Sequence, residues 1–419
     1  MHIFNLKGNS WSKRWLDRRF LSNVGFVGIS NILYAISQWG ILIFLTKLGG
    51  IDDVASFSLG LAIVSPVMLF WGASLRVFIA SDVQHQYTFE DYFYTRLITC
   101  SIGLLVISII GVINGYGIVS FTVLILIGVI KAIEGIQEVC WGISQRSENM
   151  KSVGVSRILR SLTSVFSIGL ILWFTDSLLL SLVVWLFTWL MILVLYDLPH
   201  TIRLEPFTIN IKPQKTVNII KATLPLAFIA GLIALNEKVS LYQIAAYLGE
   251  TSVGYFVPLS FMVQGISLGI TSINETATPR QAFNFKLNRK IFVHNTLTLA
   301  GFGAIVGIFT LIFFGSFRSL ILPLIYSDEF LVYKDLFVIL LGIGIIRFIL
   351  AGFGTSITAA GWLREQVPIM VVSLLVTFLT GWFLIPRFGL YGAAYSVASG
   401  LVINLISIVF LWLKIIRFK

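Results

Sequence analysis

The sequence predicts an all-α integral membrane protein with twelve spanning helices in two six-helix lobes. Three observations lead to this fold class: an apolar composition, twelve apolar segments long enough to cross a bilayer, and basic residues concentrated in alternate loops. Of 419 residues, 57% are hydrophobic and 12% are charged, and the mean hydropathy is +0.92. Soluble domains carry about 25% charged residues. A chain this apolar requires lipid around much of its surface.

The twelve predicted spans are runs of mostly apolar residues. A membrane-spanning helix needs about 20 such residues. The segments that qualify are 22–45, 54–75, 96–114, 117–140, 153–174, 177–197, 218–247, 251–274, 292–316, 333–360, 366–385 and 388–413. Gly and Asn between the third and fourth spans, and Asp and Ser between the fifth and sixth, predict tight turns.

The basic residues between the spans predict the orientation, because Lys and Arg concentrate in cytoplasmic loops. With the N-terminus in the cytoplasm, cytoplasmic segments hold 23 of the 30 Lys and Arg residues. The opposite loops hold Lys47, Arg318, Lys334 and Arg387. We therefore expect both termini in the cytoplasm. The pI of about 9.6 follows from this bias and from attraction to anionic lipid, and it indicates no nucleic-acid partner.

The longest predicted loop, at about 197–221, divides the spans six and six. It contains Pro199, Pro206 and Pro213, which predict an extended segment on the cytoplasmic surface. We therefore expect an N-terminal lobe at 1–200, a linker at 201–220 and a C-terminal lobe at 221–419.

Two short sequence patterns occur once in each predicted lobe. Residues 48–57 and 248–256 both contain Leu-Gly, an acidic turn and Val-x-x-Phe. Residues 128–131 are Gly-Val-Ile-Lys, and residues 344–347 are Gly-Ile-Ile-Arg. These matches pair the first span with the seventh and the fourth with the tenth. Because six spans per lobe keep both lobes in one orientation, they predict a parallel pseudo-two-fold repeat about the membrane normal.

Enzyme and metal motifs are absent from the sequence. It has no Gly-x-x-x-x-Gly-Lys-[Ser/Thr] loop for ATP, no His-Glu-x-x-His and no Cys-x-x-Cys. The four histidines, His2, His85, His200 and His294, are too scattered to predict a metal site. The predicted outer loops are short, whereas a membrane glycosyltransferase or ligase acting outside would need a sizeable one. The sequence therefore predicts no catalytic residues, no metal and no cofactor.

Charged residues within the spans are the main candidates for a functional site. They are Lys131, Glu134 and Glu138 in the fourth span, Glu237 and Lys238 in the seventh, and Arg347 in the tenth. A charge at mid-bilayer costs about 2.5–3.5 kcal/mol on insertion scales, so each must face a cavity or a partner. Two interpretations remain open: the charges line a lumen, or they form salt bridges that hold the helices together.

Basic and aromatic residues near the helix ends favour a simpler interpretation. Arg157 and Arg160, at the cytoplasmic mouth, are typical of interface anchors when taken singly. Trp141 is typical of an interfacial aromatic belt.

Several stretches resemble the Wzx-type polysaccharide flippases of the MATE-like superfamily, the multidrug/oligosaccharidyl-lipid/polysaccharide exporters. These stretches are 48–57, 66, 75–76, 80–82, 131–138, 141–145, 148–150 and 388–394. The resemblance extends over nearly the whole chain. It implies two six-helix lobes around a central cavity and no enzymatic activity.

The resemblance also implies a substrate. This is an undecaprenyl-pyrophosphate-linked oligosaccharide such as an O-antigen repeat unit. It would move from the cytoplasmic to the periplasmic leaflet of the bacterial inner membrane by alternating access. The expected partners are this glycan lipid and the bilayer, together with the polymerase and chain-length proteins of polysaccharide and lipopolysaccharide biosynthesis.

Other functions of the same or another fold remain open. Lipid II flippases have two additional C-terminal helices, and the sequence ends after the twelfth predicted span. Cation-coupled multidrug or small-molecule antiporters usually carry an acidic residue in the first helix. Here the first span offers Asn23, Asn31, Tyr34 and Gln38 but no carboxylate. A membrane glycosyltransferase or ligase is the alternative from another class.

With the substrate that the resemblance implies, the positions of the charged residues in the spans predict their roles. We predict that five lumen cations contact the substrate: Arg347, Lys131, Lys238, Arg76 and Arg280. Arg347 and Lys131 occupy matching repeat positions at equal depth, so both can meet the substrate pyrophosphate.

The carboxylates have a different predicted role. Glu134, Glu138 and Glu237 either bind a coupling ion or balance the charge of neighbouring cations. One specific alternative is that Glu134 neutralises Lys131. Another is that Glu237 or Glu134 closes a structural bridge to Arg347.

Overall fold

The computed structural model describes residues 18–417 without 73, 83, 148, 208–212 and 363, and this part of the chain is helical with no strands. Eleven of its helices are long and apolar enough to cross a membrane, so the chain is a multi-pass membrane protein. The basic segment 1–17 and Lys419, used to predict the orientation of the termini, lie outside the described residues.

The described residues of the first half form eight helices. The helices are α1 (Arg18–Leu48), α2 (Ile51–Trp71), α3 (Leu75–Ser81), α4 (Phe89–Ile113), α5 (Ile118–Arg146), α6 (Met150–Thr175), α7 (Leu178–Ile192) and α8 (Leu198–Leu204). A π-helical turn joins α7 to α8 without a break. A bend separates α2 from α3, and the Arg96 guanidinium donates a hydrogen bond of 2.8 Å to the Gly72 carbonyl there. The start of α4 is capped by Thr88, whose amide and hydroxyl donate to Asp91.

The second half begins again with long helices. They are α9 (Pro213–Leu248), α10 (Glu250–Leu287), α11 (Arg289–Ser316), α12 (Arg318–Ile325), α13 (Lys334–Ala359) and α14 (Gln366–Arg417). A 3₁₀ turn, Asp328–Tyr333, follows α12, so the loop expected between the predicted spans 292–316 and 333–360 is largely helical.

The last helix is a hairpin rather than one rod. α14 has 52 residues, but Gly389 within it has φ 56° and ψ −135°. Only glycine adopts such angles at low energy. The Ser373 hydroxyl donates to the Gly400 carbonyl at 3.0 Å, although a straight helix would separate them by about 40 Å. The two arms of α14 therefore lie antiparallel.

The described part of the expected extended linker is mostly helical, which corrects the sequence-based prediction. α8 continues to Leu204 and α9 begins at Pro213. Pro199 lies in the first turn of α8, and Pro213 is the first residue of α9. Proline is compatible with the first turn of a helix, as at Pro213, since the amides there have no partner within the helix. Pro199 lies within the continuous helical segment formed by α7 and α8, and Pro206 lies between that segment and α9.

The buried apolar residues form a core in each half. The first core includes Ile41, Phe57, Ile127 and Trp189. The second extends from Leu241 to Ala394 and also takes in Ala62 from the first half, because α2 packs on α9 and α10. A third, smaller core joins α11, α13 and the end of α14.

The helix packing of the two halves follows the same scheme. In the first half α2 packs on α5, α4 on α5 and α1 on α6. In the second half α10 packs on α13, α11 on α13 and α9 on α14. For the last pair, the Gln243 amide donates to the Phe378 carbonyl at 2.7 Å.

Polar contacts join the halves at the end of the molecule that carries the α1–α2 and α9–α10 turns, called the distal end below. The Thr251 hydroxyl donates to Asp52 at 3.1 Å, and that of Ser120 donates to Glu250 at 3.3 Å. Two further contacts run from Trp39 Nε1 to the Tyr326 hydroxyl, 3.3 Å, and from Lys47 Nζ to the Leu324 carbonyl, 2.5 Å. We call these four the distal contacts. At the opposite end, Lys215 pairs with Asp91 at 2.6 Å.

Candidate functional site

A cavity of about 120 Å³ lies where the two halves meet. It is lined by side chains from α1, α2, α9, α10, α13 and α14, so both halves contribute to its wall. Its uncharged polar lining consists of Gln38, Ser58, Ser240, Ser260 and Gln264. Its charged lining consists of Glu237, Lys238 and Arg347. Three of the sequence-predicted residues therefore come together in one cavity.

Arg347 and Glu237 form an ion pair across two helices. Arg347 Nη2 on α13 lies 2.6 Å from Glu237 Oε1 on α9, and both side chains keep access to the cavity. Lys238 follows Glu237 in the chain and also lines the cavity. Among the described residues no carboxylate forms an ion pair with Lys238. This wall therefore carries two cations and one carboxylate.

Lys131 belongs to a second, more enclosed charge cluster. Its Nζ lies 2.6 Å from Glu134 Oε2 on the same helix, and Arg160 Nη2 lies 2.7 Å from Glu134 Oε1. Arg160 is 1% exposed, so it is buried inside the first half and is not the interface anchor that the sequence favoured. Within the described chain, the cavity lining does not include Lys131. Lys131 is still close enough to Lys238 for electrostatic repulsion.

Three arginines surround Trp141. The guanidinium carbons of Arg76, Arg157 and Arg160 lie 5.5, 5.0 and 4.9 Å from its ring centroid. Cations are attracted to the face of an indole at such distances. Trp141 is buried, so the prediction of an interfacial belt residue is wrong. Trp141 is enclosed by these three arginines, and its indole N–H donates a hydrogen bond of 3.0 Å to the Ser156 hydroxyl.

The remaining predicted residues lie apart from the cavity. Glu138 accepts a hydrogen bond of 3.1 Å from Arg96, which is itself buried. Arg280 is exposed on α10, thirty residues from its start, or about 45 Å along the axis. Arg347 is thirteen residues into α13, about 20 Å. Arg280 is therefore not at the depth of the cavity charges.

The carboxylate of Asp82, in the loop after α3, is held in place by several hydrogen-bond donors. Asp82 accepts hydrogen bonds from the amides of Gln86 and Tyr87 and from the Tyr92 hydroxyl, the last at 2.8 Å, and Arg146 lies 3.4 Å away. Burial alone would raise the pKa of Asp82. These donors and the Arg146 charge outweigh it and hold the pKa below its usual value.

Sequence reasoning placed Arg160 at the membrane interface instead of in the buried cluster, and it did not predict the uncharged polar lining. A signal for Arg160 was present, since Ser156, Arg160, Ser164 and Ser167 follow one another at helical spacing and are all buried. A polar stripe on an apolar helix indicates a face turned toward protein. Gln38 and Gln264 belong to different halves, and their sequence positions do not indicate that they meet. Among the described residues, no group of three His, Cys, Asp or Glu could hold a metal ion.

Comparison with known proteins supports this architecture. No family model matches the sequence. The chain is 26% identical over 403 residues to the capsular polysaccharide biosynthesis protein CapF of Staphylococcus aureus, covering 94% of this chain and 100% of CapF. The fold is similar to the lipid II flippase MurJ in an inward closed conformation, with TM-score 0.73, 11% identity and coverage of 94% and 90%. It is also similar to an inward-facing MATE multidrug transporter of the MOP superfamily, with TM-score 0.65, 14% identity and coverage of 94% and 98%.

These similarities confirm the resemblance found in the sequence to the polysaccharide flippases of this superfamily. The three similar proteins are named as a capsular polysaccharide biosynthesis protein, a flippase and a transporter, and none of these three names is that of an enzyme.

Proposed function

We propose that the chain is a flippase for oligosaccharides linked to a polyprenyl diphosphate, of the O-antigen or capsule repeat-unit kind. The observation that carries the proposal is the cavity between the halves, whose charged wall has two cations, Lys238 and Arg347, for one carboxylate, Glu237. The uncharged polar groups around it suit sugar hydroxyls, and the excess cation suits a diphosphate. The similarity to a capsular polysaccharide biosynthesis protein agrees with this substrate class.

Transport would proceed by alternating access. The cavity of about 120 Å³ is far smaller than the 300–1,000 Å³ typical of small-molecule sites. An oligosaccharide therefore requires the halves to separate. The distal contacts close one end, so loading would take place from the linker end. We place the linker end in the cytoplasm on the bias of Lys and Arg, and the chain in the bacterial inner membrane.

The topology we propose has twelve spans with both termini cytoplasmic. Its support is the hairpin in α14, which divides the last long helix into two antiparallel arms. The pseudo-two-fold repeat, with lobes at 1–200 and 221–419 joined by a linker at 201–220, is supported by the matching packing schemes of the two halves. Reporter fusions after Asp176 and after Lys419 test it: the first should report from the periplasm and the second from the cytoplasm.

Among the candidate residues, Arg347 and Lys238 would contact the diphosphate directly. Lys131 and Arg76 would act from the first half by adding positive potential, and Arg280 would act only at the cytoplasmic mouth. A polymerase and chain-length proteins would receive the translocated unit. If transport is ion-coupled, Glu237 is the best placed of the three carboxylates, because it faces the cavity while Glu134 and Glu138 are engaged by cations of the first half.

The direct test uses purified protein in vesicles containing a polyprenyl-diphosphate-linked oligosaccharide. Accessibility of the sugar to an external lectin should rise with time only when the protein is present. A rise equal to that in protein-free vesicles would contradict the proposal. The antiporter alternative shares the fold of the MATE neighbour, and efflux of organic cations driven by a pH or sodium gradient would favour it instead.

A further inference from the structure

An apolar groove of about 310 Å³ opens on the membrane-facing surface between the two halves. Its walls are α2, with Phe70 and Trp71, α4, with Val106, and α9, with Phe228 and Leu235. Every residue that lines it is apolar. On the floor, a Cβ atom at Gly231 would lie 3.1 Å from the Cβ of Phe70, so the glycine sets how closely α9 approaches α2.

The groove leads toward the charged cavity along one face of α9. Phe228, Leu235 and Lys238 lie seven and three residues apart, which places them on the same side of the helix. Lys238 lines the cavity, and Leu235, one turn away, lines the groove. Beyond Lys238, the Tyr242 hydroxyl donates to the Ala62 carbonyl at 2.5 Å and joins α9 to α2. The groove therefore has a charged end and is closed beyond it.

The depth of Lys238 in the membrane determines which kind of lipid can occupy the groove. Lys238 lies ten residues from the distal end of α9, about 15 Å along the axis, which is near the centre of a 30 Å hydrocarbon layer. An ordinary phospholipid keeps its headgroup at the membrane surface, so its phosphate cannot reach Lys238 while its chains fill the groove. A carrier whose head enters the cavity needs its tail to begin at this depth.

We propose that this groove binds the polyprenyl chain of the carrier lipid while its diphosphate lies beside Lys238 and Arg347. The proposal rests on the proposed function and adds a tail site to it. The tail then leaves the protein through the groove toward the cytoplasmic leaflet, where the carrier is loaded. The sugar stays in the polar cavity, and the hydrocarbon never crosses it.

Photo-crosslinking tests the site directly. The probe is undecaprenyl diphosphate with a labelled phosphate, added to the full chain in phospholipid nanodiscs. The photoreactive residue p-benzoylphenylalanine replaces Leu235 in the groove or Leu226 as a control. Nine residues place Leu226 on the opposite face of α9, and the two side chains are similarly exposed, 37% and 43%. Crosslinking at 235 should exceed that at 226 about tenfold. Burying two methylene groups of the polyprenyl tail in the groove already raises the affinity for the tail by about that factor.

Filling the groove tests its role in transport. Val106→Trp places a large ring in it from α4, whereas Ile109→Trp, on the same helix, adds the same ring at a position that is 48% exposed and outside the groove. Val106→Trp should reduce the flipping rate about tenfold and reduce crosslinking at 235 in parallel. Ile109→Trp should leave both near wild type.

The outcomes separate the two proposals. If wild-type protein flips the glycan lipid but crosslinks equally at both positions, and Val106→Trp flips normally, the groove holds only annular lipid and the tail site is wrong. If wild-type protein fails to flip the glycan lipid at all, the proposed function is wrong, whatever the groove binds. Strong crosslinking at 235 of phospholipid but not of the diphosphate probe would also overturn the tail site.

Discussion

Lys131 and Arg347 occupy matching positions in the two halves but have different electrostatic surroundings. Each lies thirteen residues into its helix, and each follows the same Gly-Val/Ile-Ile pattern. Lys131 is neutralised by Glu134 on its own helix, with Arg160 completing an enclosed cluster. Arg347 is neutralised by Glu237 on a different helix, in a cavity shared by both halves.

The difference indicates a division of labour between the halves. An ion pair within one helix keeps its geometry when helices move, because both partners move together. A pair between α9 and α13 lengthens or breaks when those helices shift or when an anion competes for the arginine. The first half therefore holds a fixed positive cluster, and the second half holds a pair that relative motion of α9 and α13 can open.

The largest effect expected is on the folding of the first half. Glu134→Gln leaves Arg160 and Lys131 without their shared carboxylate, and breaking a buried pair costs about 3 kcal/mol or more. We expect a clear loss of folded protein, measured by fluorescence-detected size-exclusion chromatography and thermal unfolding. Glu237→Gln is the matched control in the second half and should retain its folded yield. Equal losses in both variants would remove the distinction between the two pairs.

The next effect is on transport. Arg347→Ala should lower flipping about 30-fold, corresponding to about 2 kcal/mol for a charged contact with the substrate. Folded yield should stay nearly unchanged, because the Arg347 and Glu237 side chains are 31% and 49% exposed and such pairs contribute about 1 kcal/mol or less. Arg347→Lys should retain partial activity. If Arg347→Ala instead lowers the yield, and adding Glu237→Gln restores it, the pair is structural.

A smaller effect is expected at Lys238. Lys238→Met removes a cavity cation that has no ion pair among the described residues, so it should reduce flipping about tenfold. Folded yield should be equal or higher, since an unpaired cation in a spanning helix is costly. Lys221→Met, an exposed change near the start of α9, serves as control. Unchanged flipping by Lys238→Met would remove Lys238 from the substrate site.

The sequence predicted the helices well and their mutual arrangement poorly, for a physical reason. Apolar length and loop charge are local properties, so the positions of the spans follow from them. The pairing of Arg347 with Glu237 joins residues 110 positions apart, and the sequence left Glu134 equally available as the partner. The turn at Gly389 was within reach of the sequence, because it lies at the boundary between the predicted spans 366–385 and 388–413.

The smallest expected effect is on the pH dependence of stability, and it concerns the Asp82 carboxylate, which lies outside the spans. Because the folded state lowers the pKa of Asp82, its carboxylate contributes stability above pH ~4, which is lost as the pH falls through the folded pKa. Asp82→Asn should lower stability by about 1 kcal/mol at neutral pH. The difference in Tm between wild type and variant should shrink below pH ~4. The exposed Asp176→Asn should show no such pH dependence, and a constant difference for Asp82→Asn would contradict the assignment.

The distal contacts have a thermodynamic consequence. Each of the four is a single polar interaction, and each contributes about 0.5–1.5 kcal/mol, so together they hold that end shut by about 2–6 kcal/mol. Such a gap leaves the open form as a minor but regularly visited population. A ligand that binds the open form about 5.5 kcal/mol more tightly reverses a 99:1 ratio. Binding alone can therefore drive the opening only if the ligand makes that much more favourable contact in the open form than in the closed form.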